Sequence, residues 1–214
     1  MSSMNANKAP EGGAIVKKTA CNAEAKTSPR DRIVSSACAL FRTHGIRGIG
    51  VDAIAQAAET NKMTLYRHFG SKDDLVCETL KVASAQAAAL WDDLENRFPD
   101  NPRAQIDGWV AGRADCLASE PHGCDLANAA VELKEDGHPA HVLIDRFKTE
   151  QRRRLEDLCR AAGLSDPELL ADTLSMLLEG ARVSRIATGD HGPAARFERA
   201  CHAAIAGHER SKAG

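Results

Sequence analysis

A short stretch of the chain carries side chains that could bind a polyanion. Between Lys62 and Lys72 the chain contains no acidic residue. The residues expected to face solvent there are Lys62, Thr64, Tyr66, Arg67 and His68. Their ammonium, guanidinium, imidazole and hydroxyl groups are of the kind that contact phosphates and base edges of DNA. A solvated surface helix usually carries both signs of charge, so this one-sided set indicates an anionic partner.

Two predicted short helices would position these side chains. Apolar residues recur at i, i+3, i+4 and i+7 from Val51 to Ala58, which predicts the buried face of a first helix. Turn-prone polar residues at 59–61 interrupt the pattern, and a second helix is expected over 62–68. Two short helices joined by such a turn form a helix-turn-helix, in which the second helix enters the major groove of DNA.

The segment from Phe41 to Leu75 resembles the N-terminal DNA-binding domain of the tetracycline-repressor-like (TetR) regulators. Many residues at fixed spacing over about 35 positions form a far more specific signal than a single short motif. The matching residues are Phe41, Gly45, Ile54, Ala55, Ala58, Thr64, Leu65, Tyr66, His68, Phe69, Ser71, Lys72 and Leu75.

Three residues depart from the family pattern. Gly50 stands where the family favours a Thr or Ser helix cap, and Glu59 stands where it favours a glycine in the turn. A residue other than glycine at a turn that requires positive φ costs stability. Met63 replaces a small residue and brings a bulky side chain close to the expected groove, which affects the operator sequence.

The resemblance implies DNA-binding roles for residues in and near the second helix. The Tyr66 hydroxyl and Lys72 are expected to hold phosphates, and Arg47 could reach a backbone phosphate. The residues expected to face base edges are Met63, Thr64 and Arg67, and Lys62 could join them. For Tyr66 and His68, the alternative is packing against the fourth helix. The full candidate set is Arg47, Thr60, Asn61, Lys62, Met63, Thr64, Tyr66, Arg67, His68 and Lys72.

Charge is distributed unevenly along the chain. Residues 26–72 hold eight basic and three acidic side chains, whereas residues 73–214 hold 17 basic and 25 acidic side chains. A basic module joined to an acidic remainder suits a polyanionic partner at one end only. Chance clustering of solvated charges is the alternative.

Cysteine usage and hydropathy predict a cytoplasmic protein without a membrane span. The cysteine count is odd and no CxxC pair occurs, which is typical of buried thiols in a reducing compartment. No apolar run approaches the ~18 residues of a spanning helix, and the N-terminus lacks the apolar core of a signal peptide. The cysteines are Cys21, Cys38, Cys77, Cys116, Cys124, Cys159 and Cys201.

Helical periodicity continues to the end of the chain, so the predicted fold class is all-α. No segment alternates with a period of two beyond chance. We expect a disordered arm over 1–27, a helix-turn-helix DNA-binding domain over 28–72 and a helical effector-binding and dimerisation domain over 73–214. A fourth helix from Ser71 to Phe98, ~39 Å long, would link the two domains.

The resemblance also implies a ligand pocket between the middle helices and a homodimer through the last two helices. An arginine and an asparagine among aromatic residues would suit an amphipathic ligand with an acidic or carbonyl group. Each residue could instead be ordinary core or surface, and the last two helices could simply complete the monomer core. The candidate pocket residues are Trp91, Trp109, Arg113, Cys116, Asn128, Phe147 and Met176.

The sequence leaves two other kinds of site open, a reactive thiol and a metal site. Cys124 could be a redox or electrophile sensor if a helix N-terminus lowers its pKa, although an inert thiol is the simpler interpretation. His138 and His141, with Asp136 or Cys124, could approach a metal, but the spacing is loose and nothing fixes a fourth ligand. No nucleophile–base set is recognisable, so we expect no catalytic residue, cofactor or resident metal.

Together these patterns predict a dimeric one-component transcriptional regulator rather than an enzyme. We expect a repressor that binds a pseudo-palindromic double-stranded DNA operator and that a small-molecule effector releases. One alternative is a thiol-based sensor on the same scaffold. Another is a helical binding or enzymatic body that retains the DNA-binding unit without regulating through it.

Overall fold

The structure is a computed structural model that describes residues 28–120 and 122–209. Over these residues the chain forms α-helices and two short 3₁₀ segments, without a β-strand, which confirms the all-α prediction. The predicted arm over 1–27 lies outside the described residues. Within them, no helix is both long and apolar enough to cross a bilayer. The helices are α1 (Pro29–His44), α2 (Val51–Ala57), α3 (Lys62–Phe69), α4 (Lys72–Arg97), α5 (Pro102–Ser119), α6 (Asp125–Glu132), α7 (Pro139–Ala161), α8 (Pro167–Thr188) and α9 (Phe197–Gly207).

Side-chain caps fix where several helices begin. Ser28 Oγ accepts a hydrogen bond from the backbone N–H of Asp31 at 3.2 Å, and Pro29 follows as the first helical residue. Ser71 Oγ accepts from the N–H of Asp74 at 3.0 Å and begins α4. A side-chain cap of this kind stabilises a helix by about 1 kcal/mol. The predicted start of the fourth helix at Ser71 is confirmed.

The head, which we define as α1–α3, shares its hydrophobic core with later helices. Ile33, Ile54 and Leu65 are fully buried at its centre. The same cluster includes Leu126 from α6 and Ile144 from α7, together with the first half of α4. Three short helices bury too little apolar surface to be stable alone, so α6 and α7 complete the core of the head.

A second cluster forms the core of the body, which we define as α4–α9. Leu94 on α4, Ile106 on α5 and Leu174 on α8 are buried at its centre, and Ile205 on α9 closes it. Because α4 contributes its first half to the head cluster and its second half to this one, it connects the two cores rigidly.

Two valines at helical spacing with buried residues are not themselves buried. Val82 on α4 is 38% exposed, whereas Leu80 on the same helix is buried. Val142 on α7 is 73% exposed. Both helices carry apolar residues on more than one face, so periodicity alone does not identify the face that packs.

The turn between α2 and α3 confirms that Glu59 occupies a left-handed position. Its φ is +51°. The N–H of Thr60 donates to the carbonyl of Ala55 at 2.9 Å and that of Glu59 donates to Gln56 at 3.1 Å. This pair of bonds is the Schellman arrangement, which places a left-handed residue after the helix and favours glycine there.

We predict that Glu59→Gly raises the free energy of unfolding by about 1 kcal/mol, because it removes the cost of a left-handed side-chain-bearing residue. Chemical denaturation monitored by circular dichroism measures the change. Glu59→Ala is the matched control, because it removes the same charge and retains the left-handed strain. An equal gain from alanine would attribute the effect to the lost charge and contradict the prediction.

Candidate nucleic-acid interface

Helix α3 presents its polar residues outward because its opposite face is buried in the head. Leu65 is fully buried and Phe69 is 6% exposed, one helical turn apart. Asn61 Oδ1 accepts a hydrogen bond from the N–H of Thr64 at 2.9 Å and begins the helix. Gly70, with φ of +71°, ends it. Two buried anchors and a cap at the start determine how α3 is rotated about its axis.

The outward face of α3 carries the donors expected from the sequence. Met63 is 83% exposed and Tyr66 is 39% exposed. Arg67 and His68 are also exposed, and within the described ranges Arg67 has no ion-pair partner. Tyr66 and His68 therefore face solvent rather than packing against α4, which was the alternative.

The remaining candidate residues near the start of α3 are partly occupied by contacts within the protein or partly buried. Lys62 Nζ lies 3.2 Å from Asp52 Oδ2 in an exposed pair, which contributes little to stability and can be replaced by a phosphate. Asn61 uses its side-chain oxygen as the helix cap, so its amide nitrogen is the group left to donate. Thr60 and Thr64 are half-buried.

Arg47, a predicted phosphate contact, is bound to the end of α6 instead of extending freely. Its Nε donates to the carbonyl of Glu132 at 3.0 Å, and its guanidinium pairs with Glu135. The Glu132 carboxylate accepts the backbone N–H groups of Ile46 at 2.9 Å and Arg47 at 2.6 Å. Glu132 thus holds the α1–α2 loop, and Arg47 strengthens that contact.

Lys72, the other predicted phosphate contact outside α3, is also engaged within the head. Its Nζ donates to the carbonyl of Ile46 at 2.6 Å and lies 5.9 Å from the ring centroid of Phe41. These contacts tie the first residue of α4 to the α1–α2 loop. The sequence could not show them, because the partners are about 26 or more positions away.

The opposite end of α6 is also bound to the head. Arg42 on α1 donates from Nε to Asp125 Oδ1 at 3.0 Å and makes a second bond to the other carboxylate oxygen. The hydrogen bond with Asp125 raises the pKa of Arg42, so this cation is held more firmly in its charged form. Helix α6 is therefore joined to the head at both ends.

A cavity of about 420 Å³ lies between α4, α5, α6, α7 and α8. Small-molecule sites usually span ~300–1,000 Å³, so this space could hold a small ligand. Four of the predicted pocket residues line it: Trp109, Arg113, Cys116 and Phe147. Arg42 and Asp125 form part of the same wall, so the cavity adjoins the contact between α6 and the head.

Three predicted pocket residues lie elsewhere. Trp91 is buried beside the cavity and donates from Nε1 to Gln151 Oε1 at 2.8 Å. Asn128 lines a separate cavity of about 240 Å³ between α1, α4 and α6. The prediction for Met176 is wrong: its side chain is 64% exposed and does not line the cavity, because it lies on the outer face of α8.

Most of the polar side chains that line the cavity were not predicted. Gln86, Lys148, Gln151, Glu179 and Arg182 face the cavity. The pairs 148/151 and 179/182 are each spaced i, i+3, which places two polar groups on one helix face. That signal was present in the sequence, but it is equally typical of a solvated surface.

The thiol considered as a sensor, Cys124, is half-buried, lines the cavity and lies directly before α6. Burial raises the pKa of the other cavity thiol, Cys116, which favours its unreactive neutral form.

Among the described residues, His138 Nε2 is buried without a hydrogen-bond partner and lies 3.5 Å from Asp73 Oδ1. His138 Nδ1 accepts from the N–H of Ala140 at 3.1 Å, and His141 Nε2 lies 2.7 Å from the carbonyl of Leu133. Over 28–120 and 122–209, no three His, Cys, Asp or Glu residues are grouped so that they could hold a metal.

Comparisons with known proteins agree with this geometry. The profile of the family described as "Bacterial regulatory proteins, tetR family" matches residues 33–79. The HTH-type transcriptional repressor SCO4008 of Streptomyces coelicolor is 33% identical over 90 residues, which are 42% of this chain. That match spans 43% of SCO4008, less than half of its length.

Solved structures extend the likeness beyond the head. The sav143 protein of Streptomyces avermitilis, described as a TetR transcriptional regulator, has a TM-score of 0.68 and 30% identity, covering 83% of this chain and 98% of that one. A cysteine-substituted CifR, a TetR family transcriptional regulator solved with a 26-base-pair operator DNA, has a TM-score of 0.69 and 23% identity. It covers 83% of this chain and 95% of that one.

We predict that Cys159 and Cys201 resist alkylation in the folded protein. Both are fully buried, and burial raises the pKa of Cys159 to about 11 and that of Cys201 to about 12, so neither forms thiolate near neutral pH. N-ethylmaleimide labelling at about pH 8 followed by peptide mass spectrometry should modify the half-buried Cys124 well before either. In denaturant all seven cysteines should react. Native labelling of Cys201 as fast as that of Cys124 would contradict the prediction.

Proposed function

This chain belongs to the TetR family of bacterial regulatory proteins, and we propose that it is a DNA-binding transcription regulator that represses transcription as a homodimer on a pseudo-palindromic operator. We further propose that a small-molecule effector releases it from DNA and that it acts in the cytoplasm. The observation that carries the proposal is α3, whose cationic and hydrogen-bonding face is held outward by the buried Leu65 and Phe69.

We propose that the residues of α3 divide into two roles on DNA. Tyr66 and Lys62 hold phosphates and set the position of the helix, whereas Arg67 and Met63 face base edges in the major groove. The exposure of these side chains supports both roles. Arg47 and Lys72 act indirectly, by fixing the loop that carries α2 and α3.

The outer face of α8 supports the proposed dimer. Its exposed apolar residues are Leu169, Met176, Val183 and Ile186, of which the first three are spaced by seven. Gly180 lies among them, and a Cβ there would meet no atom within 4 Å, so a second helix could approach closely. A seven-residue apolar repeat is typical of helices that pack along their length. Two heads are also needed to read half-sites ~34–36 Å apart.

The position of α6 supports a route from effector to DNA. One end of α6 contributes Asp125 to the cavity wall and to the pair with Arg42, and the other end holds the α1–α2 loop through Glu132. An effector that fits one position of α6 better than another would shift the population of head orientations. Orientations that no longer match successive major grooves would lose the operator.

The thiol-sensor alternative has one observation in its favour. Cys116 and Cys124 both line the cavity, so a small electrophile there could reach either sulfur. The raised pKa of Cys116 weighs against it as the reactive thiol. Loss of operator binding on mild oxidation, prevented by Cys124→Ser, would favour this alternative over a reversible effector.

A gel-shift experiment tests the proposal directly. The protein is titrated onto DNA from upstream of its own gene and onto a scrambled duplex of equal length, at several salt concentrations. We expect preference for the upstream DNA and a steep decline of affinity with salt, because binding releases counterions from phosphates. Equal affinity for both duplexes at every salt concentration would instead favour a body that does not regulate through its head.

We predict that two substitutions on α3 separate phosphate contact from base reading. Tyr66→Phe should weaken binding to all DNA sequences alike, by roughly 2- to 10-fold, because one hydrogen bond to the backbone is lost. Arg67→Ala should change which sequences are preferred, with about 10- to 100-fold loss at the operator. Binding-site selection from a randomised duplex measures both effects. A uniform loss on all sequences for Arg67→Ala would refute its base-reading role.

We predict that Val183→Asp prevents dimer formation, because it would bury two unpaired carboxylates between α8 and its copy. Analytical ultracentrifugation should show a monomer, and operator affinity should fall by at least about 100-fold as the second half-site contact is lost. Val142→Asp is the matched control, because Val142 is 73% exposed, close to the 67% of Val183, and lies on α7. Monomer formation by the control, or a dimeric Val183→Asp, would argue against this interface.

A further inference from the structure

Arg113 is a buried cation in the middle of the body. It lies on α5 with 6% of its surface exposed and is the only buried lysine or arginine in the described part of the chain. It lines the large cavity, and its guanidinium carbon lies 5.9 Å from the ring centroid of Trp109. Arginine remains charged in proteins, so this charge needs a partner.

The protein itself gives Arg113 little to bind. Among the described residues, its Nε has no hydrogen-bond acceptor and no carboxylate lies within ion-pair distance. Its Nη2 donates to Gln151 Oε1 at 3.3 Å, a long contact to an oxygen that also accepts from Trp91 Nε1 at 2.8 Å. A buried guanidinium that shares one neutral acceptor is under-satisfied, which is unusual in a folded protein.

The surrounding charges do not compensate it. Arg182 Nη1 donates to Glu179 Oε1 at 2.8 Å, and Lys148 pairs with the same oxygen. These two cations therefore share one carboxylate, and Arg113 adds a third positive charge to this side of the cavity. Burial, and secondarily the charge of Arg182, lowers the pKa of Arg113. The electrostatic field favours an anion beside Arg113.

The rest of the cavity wall is largely apolar. Trp109, Leu126, Phe147 and Leu178 line it, and Trp109 lies beside Arg113. A ligand that fills this space would bury an apolar portion against these side chains and place a single polar group at the arginine.

We propose that the cavity binds a small amphipathic carboxylic acid, whose carboxylate accepts hydrogen bonds from the Arg113 guanidinium while its apolar part lies against Trp109 and Phe147. The planar guanidinium matches a carboxylate in a two-bond geometry. A doubly charged phosphate ester suits the site less, because Glu120 and Glu179 also line the cavity. The inference rests on the proposed function only in treating this cavity as the effector site.

Intrinsic fluorescence can measure binding at this site. The chain has two tryptophans, Trp91 and Trp109, whose rings stack with centroids 6.4 Å apart beside the cavity. The probes are decanoate and decanamide, which share an apolar chain and differ in charge. We expect decanoate to bind the full-length protein at least ten-fold more tightly than decanamide, and equal affinities would overturn the proposal.

Matched substitutions on one helix assign the preference to Arg113. Arg113→Met should abolish the ten-fold preference for decanoate and leave decanamide binding unchanged. Arg103→Met is the control, because Arg103 lies on α5 but is partly exposed and pairs with Asp107 and Glu209. The control should retain the preference. A preference that survives in Arg113→Met would overturn the assignment.

A measurement on the unaltered protein covers the case in which Arg113→Met does not fold. The carboxyl carbon of ¹³C-labelled decanoate is titrated with pH by NMR while bound. Pairing with a cation should lower the pKa of the bound acid below that of free decanoate, and a raised pKa would overturn the proposal.

Gel shifts distinguish a wrong carboxylate site from a wrong regulatory function. Gel shifts with upstream DNA are run on the same preparations. Operator binding with equal affinity for acid and amide overturns the carboxylate site alone. A decanoate preference that depends on Arg113, in a protein without operator preference, supports the site and overturns the regulatory function.

Discussion

The hydrophobic core of the head is completed by side chains from the body, and the remaining properties of the molecule follow from this constraint. Leu65 fixes the rotation of α3 only because Ile33 and Ile54 are buried against it. The same hydrophobic cluster continues along the first half of α4 to Leu126 from α6 and Ile144 from α7. A three-helix unit of about 45 residues would be marginal without that cover. The orientation of the DNA-facing surface therefore depends on the packing of α6 and α7, and a change in the body has a physical path to the head.

Polar contacts fix the position of α6 relative to the head. Apolar packing alone would let α6 slide along the head with little penalty. The two-bond pair between Arg42 and Asp125 and the double acceptance by Glu132 require particular geometry at both ends of the helix. Charge-assisted hydrogen bonds weaken steeply when their angles change. A displacement of α6 must break these contacts or carry α1 and its loop along, so the head responds to α6 as a unit.

The helices could be predicted because their ends and faces depend on residues close in sequence. Contacts between residues distant in sequence could not be predicted. Ser28, Ser71 and Asp166 cap helices by accepting a hydrogen bond from the backbone three positions on, so the starts of these helices depend on residues that are close in sequence. The outward face of α3 followed from Leu65 and Phe69 for the same reason. The contacts of Lys72 with Ile46 and of Arg47 with Glu132 could not be predicted, because the partners are distant in sequence. Met176 was misplaced because α8 is apolar on two faces, one buried in the core and one exposed.

Packing density differs between the two sides of the body, and this difference gives a bound ligand a way to affect the position of α6. The end formed by α8 and α9 is dense, with Leu174, Cys201 and Ile205 fully buried. The side facing α6 instead holds a cavity and the under-satisfied Arg113, so it gains less from packing per residue. Regions of low local stability open at lower free energy than the core that supports them. A ligand that satisfies Arg113 and fills the cavity stabilises the arrangement of α6 that it fits, in proportion to its occupancy. Because the same helix completes the core of the head, the proposed release from DNA would follow from a shift of α6 that changes the position of α3.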